Sequence, residues 1–282
     1  MINFGGDEVV YGYEESEIII LPVPYDETST WMKGADKGPE AILEASVNLE
    51  FYDLETSSEA HLKGIHTVSP VLEKETPGRM VDAVFESTLA LLRDKKFPVI
   101  IGGNHSVTIG VVRAFASHFQ NLTVLQLDAH ADLRQEYEGS EFNHACVMAR
   151  ARESAPIVQV GIRSMSAGEL PYAESDRIFH AHQLYYDKSL YSKALDKLTD
   201  NVFITIDLDV FDPSIMPSTG TPEPGGPHYT ELLHFLRDVI SKRNVVGFDV
   251  VELCPSKTNK SPDFIAAKII YQLLSYKFAN VL

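Results

Sequence analysis

Short apolar runs rich in β-branched residues recur along the chain, and longer helical patterns separate them. Continuous apolar runs of this kind are typical of strands that are buried on both faces of a sheet. Strands and helices in alternation predict a parallel α/β sheet with helices packed on both sides. The predicted strands cover residues 17–24, 97–101, 122–127, 156–162, 201–206 and 244–251.

The helical spacing of apolar residues predicts the intervening helices. One of them begins at Pro39, since proline is favoured in the first turn, where its nitrogen needs no hydrogen-bond partner. The others cover residues 77–93, 107–119, 189–198, 229–242 and 262–276. Because no repeat or linker-like segment interrupts this pattern, we expect residues 1–282 to form a single domain.

The composition restricts the partners and the compartment. A net charge of −16 would repel phosphate backbones and anionic lipid surfaces, whereas it would attract a cationic substrate. No apolar run reaches the length of about 18 residues that a membrane span requires, and MINFGGDEVV lacks the features of an export signal. The two cysteines, Cys146 and Cys254, cannot build a disulfide framework. We expect a cytoplasmic protein without nucleic-acid or membrane partners.

Metal-capable side chains follow three of the predicted strands. GGNH follows residues 97–101, DAHAD follows residues 122–127, and DLD follows residues 201–206. The carboxyl ends of parallel strands share one edge of a sheet, so these side chains are expected to meet there. Singly, His105 could be a hydrogen-bonded loop histidine and Asp132 a helix N-cap. Together, the candidate ligands are His105, Asp128, His130, Asp132, Asp207 and Asp209.

Four aspartates at one edge would repel one another unless cations neutralised them. Carboxylate and imidazole ligands without a thiolate suit Mn²⁺, although Zn²⁺, Fe²⁺, Co²⁺ or Ni²⁺ could occupy the same geometry. We therefore predict two Mn²⁺ per chain. Calcineurin-like phosphatases also use D-x-H and G-N-H motifs, but there the G-N-H comes second and a G-D-x-x-D lies between, which this sequence does not match.

The same motifs closely resemble those of the ureohydrolases, the family of arginase and agmatinase. GGNHS (102–106), DAHADLR (128–134) and IDLDVFDPSIMPSTGTPEPGG (206–226) carry the resemblance, which VPYDETSTWMKGADKGPEAI (23–42) and DVVELCP (249–255) extend over most of the chain. The resemblance implies a three-layer αβα fold of the arginase/deacetylase type with a mainly parallel, eight-stranded sheet, and a homo-oligomer, either trimer or hexamer. It also implies that His105, Asp128, Asp132 and Asp207 hold one Mn²⁺ and that Asp128, His130, Asp207 and Asp209 hold the other.

The resemblance further implies the chemistry. Paired metals lower the pKa of water toward about 7 and so supply a nucleophile for the guanidinium carbon. Asp132 would accept and relay a proton, His144 would shuttle a proton and contact the substrate, and Glu252 would pair with the guanidinium. The sequence departs from the family at two places. NHAC replaces the usual S-H-G-T around His144, and Asn104 stands where an acidic residue is common.

The segment after the DAHAD motif bears on the choice of substrate. Residues 133–144 contain Glu136, Glu138 and Glu141, which would repel a carboxylate tail and tolerate a cationic one. We therefore expect agmatine as the substrate and putrescine and urea as the products, in polyamine biosynthesis. Aminopropylagmatine, guanidinobutyrate, guanidinopropionate, guanidine and arginine are the alternative substrates. A non-catalytic binding or regulatory relative is the alternative of a different class, which the complete ligand set disfavours.

Overall fold

A parallel sheet forms the centre of the structure, a computed structural model that describes residues 2–279. All strand pairings in that range are parallel, in the order β2-β1-β3-β8-β7-β4-β5-β6. The strands are β1 (Ile18–Val23), β2 (Ile65–Thr67), β3 (Phe97–Gly102), β4 (Leu122–Leu127), β5 (Ile157–Ile162), β6 (Ile178–His180), β7 (Asn201–Asp207) and β8 (Asn244–Val251).

Helices cover both faces of this sheet. Helices α1, α6, α7 and α8 pack in the apolar core on one face, and α2, α3 and α4 pack in the core on the other, which confirms the three-layer αβα prediction. Within residues 2–279, every helix is too short or too polar to cross a lipid bilayer. The helices are α1 (Gly38–Ser46), α2 (Pro77–Arg93), α3 (Val107–His118), α4 (Val147–Ala151), α5 (Ala181–Tyr186), α6 (Ser189–Asp196), α7 (Tyr229–Lys242) and α8 (Ser261–Phe278).

The central strands are the ones that the sequence predicted. In β4 and β5 every residue is buried, as continuous apolar runs require. The two outermost strands, β2 and β6, were not predicted. Each has only three residues, which is too short for a periodic pattern to develop.

The sheet order places the site. Strands β3, β8, β7 and β4 are consecutive neighbours, with β8 between β3 and β7. The loops that leave their carboxyl ends therefore share one edge of the sheet, although the segments are far apart along the chain. All of the candidate ligands and Glu252 lie on β7 or on loops that follow these strands.

Candidate metal centre and active site

The first group of candidate ligands surrounds His105, which is 1% exposed. Its Nδ1 atom lies 3.0 Å from Asp132 Oδ2, 3.2 Å from Asp128 Oδ2 and 3.4 Å from Asp207 Oδ2. His105, Asp128 and Asp132 together offer three ligand atoms with a spacing that suits one metal ion. Asp207 lies beside this group but is not part of that compact set.

The second group surrounds His130. Its Nδ1 atom lies 2.8 Å from Asp209 Oδ2 and 3.6 Å from Asp128 Oδ1. Asp128, His130 and Asp209 again offer three closely spaced ligand atoms. Asp128 thus belongs to both groups and presents one carboxylate oxygen to each. The structure brings together the residues that the sequence nominated, in two adjoining clusters that could each hold a cation.

The hydrogen bonds of His105 test whether a metal fits. Its Nε2 atom lies 2.9 Å from the hydroxyl of Thr205, which can accept the Nε2 proton. The other ring nitrogen, Nδ1, is buried and has no hydrogen-bond partner among the described residues. An imidazole that donates from one nitrogen and leaves a lone pair on the other is arranged as a metal ligand is. The donor set of carboxylates and imidazoles therefore fits a divalent cation.

The charges in the two groups also favour a bound cation. Burial, with the neighbouring charge of Asp128, raises the pKa of Asp132 to about 7. Burial and the charges of Asp209 and Asp128 raise the pKa of Asp207 well above its ordinary value. Burial lowers the pKa of His130, but its contacts with Asp209 and Asp128 outweigh that effect and raise it to about 12. Carboxylates so placed require a nearby positive charge to remain ionised.

Two site residues have an unusual backbone. Asp132 has a φ of 52° and Glu252 a φ of 68°, both in the left-handed region that side chains other than glycine rarely adopt. Strained backbone of this kind persists where the surrounding contacts enforce it, and it is concentrated at functional sites. For Glu252 one such contact is visible, because its Oε1 accepts the backbone N–H of His105 at 2.7 Å. Burial raises the pKa of Glu252 to about 8.

His144 opens a single turn of 3-10 helix, His144–Cys146, which Asn143 caps by accepting the backbone N–H of Ala145. The imidazole stands edge-on to Tyr137, with ring centroids 6.2 Å apart. Burial lowers the pKa of His144 to about 4, so the ring is neutral near pH 7. His144 lines the same cavity as the candidate ligands His105, His130, Asp132 and Asp207.

That cavity has a volume of about 390 Å³ and opens over both clusters. Three residues of the segment 133–144 line the cavity, namely Arg134, Tyr137 and His144. The glutamates at 136, 138 and 141 are not among the described lining residues. The Arg134 guanidinium lies 4.5 Å from the centre of the Tyr137 ring. The three glutamates therefore do not line the cavity, contrary to the expectation that they would meet the tail of the substrate.

Comparison with known proteins assigns the family. The model of the Arginase family matches residues 16–275. The chain belongs to the arginase family. An N(1)-aminopropylagmatine ureohydrolase from Synechocystis sp. is 38% identical over 285 residues, covering 97% of this chain and 93% of that protein. An agmatinase from Pyrococcus horikoshii is 31% identical over 268 residues, covering 93% and 92%. The crystal structure of the agmatine ureohydrolase of Thermoplasma volcanium superposes with a TM-score of 0.88 at 30% identity, covering 98% and 94%.

These relatives place the arginase-family chain among the ureohydrolases, which are hydrolases, and confirm the predicted arginase-type fold.

One structural residue near the site belongs to no motif recognisable in the sequence. Arg163 follows β5, and its guanidinium donates to the backbone carbonyls of Asp209, Phe211 and Glu223. It thereby fixes the loop after β7 that carries Asp209. Only the folded chain brings these carbonyls together, so no local sequence pattern could have revealed the role of Arg163.

Proposed function

We propose that the chain is a manganese-dependent ureohydrolase that releases urea from a cationic guanidine, N(1)-aminopropylagmatine in preference to agmatine. The observation that carries the proposal is the pair of clusters that share Asp128, in a cavity that the carboxylate-bearing Glu252 also lines. The greater identity to the N(1)-aminopropylagmatine ureohydrolase, 38% against 31% for the agmatinase, supports this order of the two substrates.

We assign the metal ligands from the family motifs and from the two clusters. His105, Asp128, Asp132 and Asp207 would hold one Mn²⁺, and Asp128, His130, Asp207 and Asp209 the other. Bound there, the two dications would lower the pKa of water and supply the nucleophile near neutral pH. Oxygen and imidazole ligands without a thiolate support manganese as the metal.

Glu252 binds the guanidinium. A carboxylate can accept two parallel N–H bonds from this planar cation, and the pairing is stronger when both partners are desolvated. Glu252 is 8% exposed, and the backbone N–H of His105 orients its Oε1 before any substrate arrives. The substrate charge also favours the ionised form of Glu252, which burial alone disfavours.

Two residues handle the protons. Asp132 lines the cavity and faces His105 Nδ1 with Oδ2, which leaves Oδ1 to accept the proton that the attacking water gives up. The leaving amine needs a proton when the C–N bond breaks. His144 lines the same cavity as a neutral imidazole, which relays a proton by accepting one at one ring nitrogen and releasing one from the other. The products are urea and the amine that the guanidinium leaves behind.

The wall of the cavity receives the tail of the substrate. Trp31 and Tyr137 contribute aromatic rings, and such rings attract alkylammonium groups. Arg134 is the one arginine or lysine among the described lining residues, and its charge would favour a carboxylate instead. Its guanidinium is stacked on Tyr137, and Glu169 lies 3.9 Å away and offsets part of its charge. Guanidinobutyrate is therefore the carboxylate-tailed guanidine to compare with the cationic ones.

A substrate panel tests the proposal. Metal-depleted protein is reloaded with Mn²⁺, Zn²⁺, Co²⁺ or Ni²⁺, and urea release is measured with N(1)-aminopropylagmatine, agmatine, guanidinobutyrate and arginine. We expect the highest kcat/KM for N(1)-aminopropylagmatine with Mn²⁺. A preference for guanidinobutyrate would overturn the assignment of the tail, and no urea from any guanidine would overturn the proposal. The trimer or hexamer that the family resemblance implies stays a prediction, which sedimentation can check.

A further inference from the structure

Three loops of the site meet at the hydroxyl of Thr28, a residue that is 7% exposed. The side-chain N–H of Asn104 donates to Thr28 Oγ1 at 2.8 Å. The backbone N–H of His144 donates to the same oxygen at 3.3 Å. One hydroxyl thus joins the loop after β1, the loop after β3 and the segment that carries the proposed proton-transfer residue.

The hydrogen bonds of Asn104 fix its orientation. Its Oδ1 accepts the hydroxyl of Ser106 at 2.6 Å, and its Nδ2 also donates to Ser29 Oγ at 3.3 Å. The carbonyl and the amino end of the side chain are therefore both engaged, and the side chain is fully buried. Asn104 directly precedes His105, so Thr28 is held against the loop that supplies a proposed metal ligand.

The residues that follow Thr28 form a wall of the cavity. Residues 29–32 all belong to the lining, and Trp31 in this stretch is 77% exposed. A hydrogen bond joins the two ends of this loop, because the backbone N–H of Gly34 donates to Asp26 Oδ2 at 2.6 Å. Between these ends, the Thr28 hydroxyl makes the shorter of the two hydrogen bonds by which Asn104 ties this wall to the loop after β3.

We propose that the Thr28 hydroxyl is a positioning group that holds residues 29–32 and His144 against the metal-ligand loop. Thr28 acts through Asn104 and His144, because the cavity lining begins at the next residue. It governs how a guanidine is bound and leaves metal binding unchanged. The effect on turnover rests on the proposed function, whereas the effect on the position of the wall does not.

The matched pair Thr28→Val and Thr28→Ser tests this role. Valine keeps the branched shape and removes the hydroxyl, which leaves the His144 N–H without this acceptor and the Asn104 amino group with only its longer bond to Ser29. We expect Thr28→Val to raise KM for the preferred guanidine roughly 10-fold, with a smaller loss of kcat. Serine keeps the hydroxyl and should restore kcat/KM to within about 3-fold of the native value. Both variants should bind as much Mn²⁺ as the native chain.

Trp31 provides a readout that needs no turnover, since it is the only tryptophan of the chain. In Mn²⁺-loaded protein, Thr28→Val should change the emission maximum of Trp31 and its quenching by acrylamide, and Thr28→Ser should not. Thr88→Val is the control. The Thr88 hydroxyl on α2 is buried and has no hydrogen-bond partner among residues 2–279, so the same chemical change breaks no bond there.

The outcomes distinguish the positioning role of Thr28 from the proposed ureohydrolase function. The positioning role is rejected if Thr28→Val matches Thr28→Ser in KM and in Trp31 quenching, or if Thr28→Val loses Mn²⁺ in proportion to activity. If the native chain releases no urea, the proposed function fails and the fluorescence comparison still decides the role of Thr28. Should Thr28→Val not fold, Asn104→Ala removes the same hydrogen bond from the other side. We expect the same shift in Trp31 quenching, and native quenching in Asn104→Ala would overturn the proposal.

Discussion

Asp128 differs from the other carboxylates of the site because its two oxygens face two different histidines. Oδ2 lies 3.2 Å from His105 Nδ1, and Oδ1 lies 3.6 Å from His130 Nδ1. The side chain is fully buried, and the side-chain amide of Gln126 and the backbone N–H of His130 each donate to it at 2.6 Å. These donors hold the carboxylate in the orientation that lets it serve both clusters.

Asp128→Asn should therefore lose at least one metal ion. The amide has one oxygen ligand and no charge, so it cannot bridge two cations. We expect fewer than two Mn²⁺ per chain by elemental analysis, and urea release lowered at least roughly 100-fold. Asp212→Asn is the control, since Asp212 accepts the backbone N–H groups of Ser214 and Gly225 in a turn. Two ions and normal turnover in Asp128→Asn would show that the ligand assignment is wrong.

Glu252→Gln should separate substrate binding from metal binding. The substitution keeps the shape of the side chain and removes the charge that pairs with the guanidinium. Loss of one partner of a buried charge pair costs about 2–5 kcal/mol, so kcat/KM should fall roughly 30- to 5,000-fold while Mn²⁺ content stays native. Glu141→Gln is the matched control, because Glu141 is exposed and pairs with Arg150 at 2.8 Å. An unchanged kcat/KM in Glu252→Gln would remove Glu252 from the site.

At the scale of elements, the close contact between the ends of β1 and β3 sets the position of His105. The backbone N–H of Gly103 donates to Val23 O at 2.8 Å, and the N–H of Asn104 donates to Tyr25 O at 2.8 Å. A Cβ atom at Gly103 would lie 2.1 Å from that same Tyr25 oxygen. Glycine is therefore required where the two loops touch, two residues before the proposed ligand His105.

Gly103→Ala should displace the loop after β3. The clash is with backbone, which no side-chain rotation can relieve, so the two loops must separate. We expect a free energy of unfolding lower by about 1–3 kcal/mol in urea denaturation, together with weaker Mn²⁺ binding in a titration. Gly12→Ala serves as the control, since a Cβ there meets only Glu15 Oε2, at an ordinary 3.6 Å. Native stability and native metal affinity in Gly103→Ala would contradict the structural role of this contact.

At the scale of the whole molecule, the sequence predicted what local patterns encode. The six inner strands are recognisable in the sequence as buried apolar runs, and the candidate ligands as histidines and aspartates at the ends of such runs. The sheet order, the short outer strands β2 and β6, and the cavity wall depend on tertiary contacts instead. Thr28 and Arg163 act through partners far away in sequence, so no window of neighbouring residues reveals them.

A carboxylate at the centre of the sheet links the site to the stability of the whole chain. Asp249 lies on β8 between β3 and β7, is fully buried, and accepts the hydroxyl of Thr108 at 2.7 Å. Burial raises the pKa of Asp249 to about 6, despite the opposing effects of His105, Thr205 and Thr108. The folded state thus binds this proton more tightly than the unfolded chain does. The resulting stabilisation is complete below about pH 4 and is lost as the pH rises through about 6.

Asp249→Asn removes this titration. Between about pH 4 and pH 7.5, the metal-free native chain should lose about 2 kcal/mol of unfolding free energy relative to Asp249→Asn. The altered hydrogen bonds of the amide in Asp249→Asn change the unfolding free energy by the same amount at both pH values. This contribution therefore cancels when the two pH values are compared. Urea denaturation in the presence of a chelator measures the difference. Asp212→Asn provides a control of opposite sign, because hydrogen bonds from Ser214 and Gly225 lower the pKa of Asp212 to about 2. The same native-to-variant difference at both pH values would mean that Asp249 ionises in the folded chain as easily as in the unfolded one.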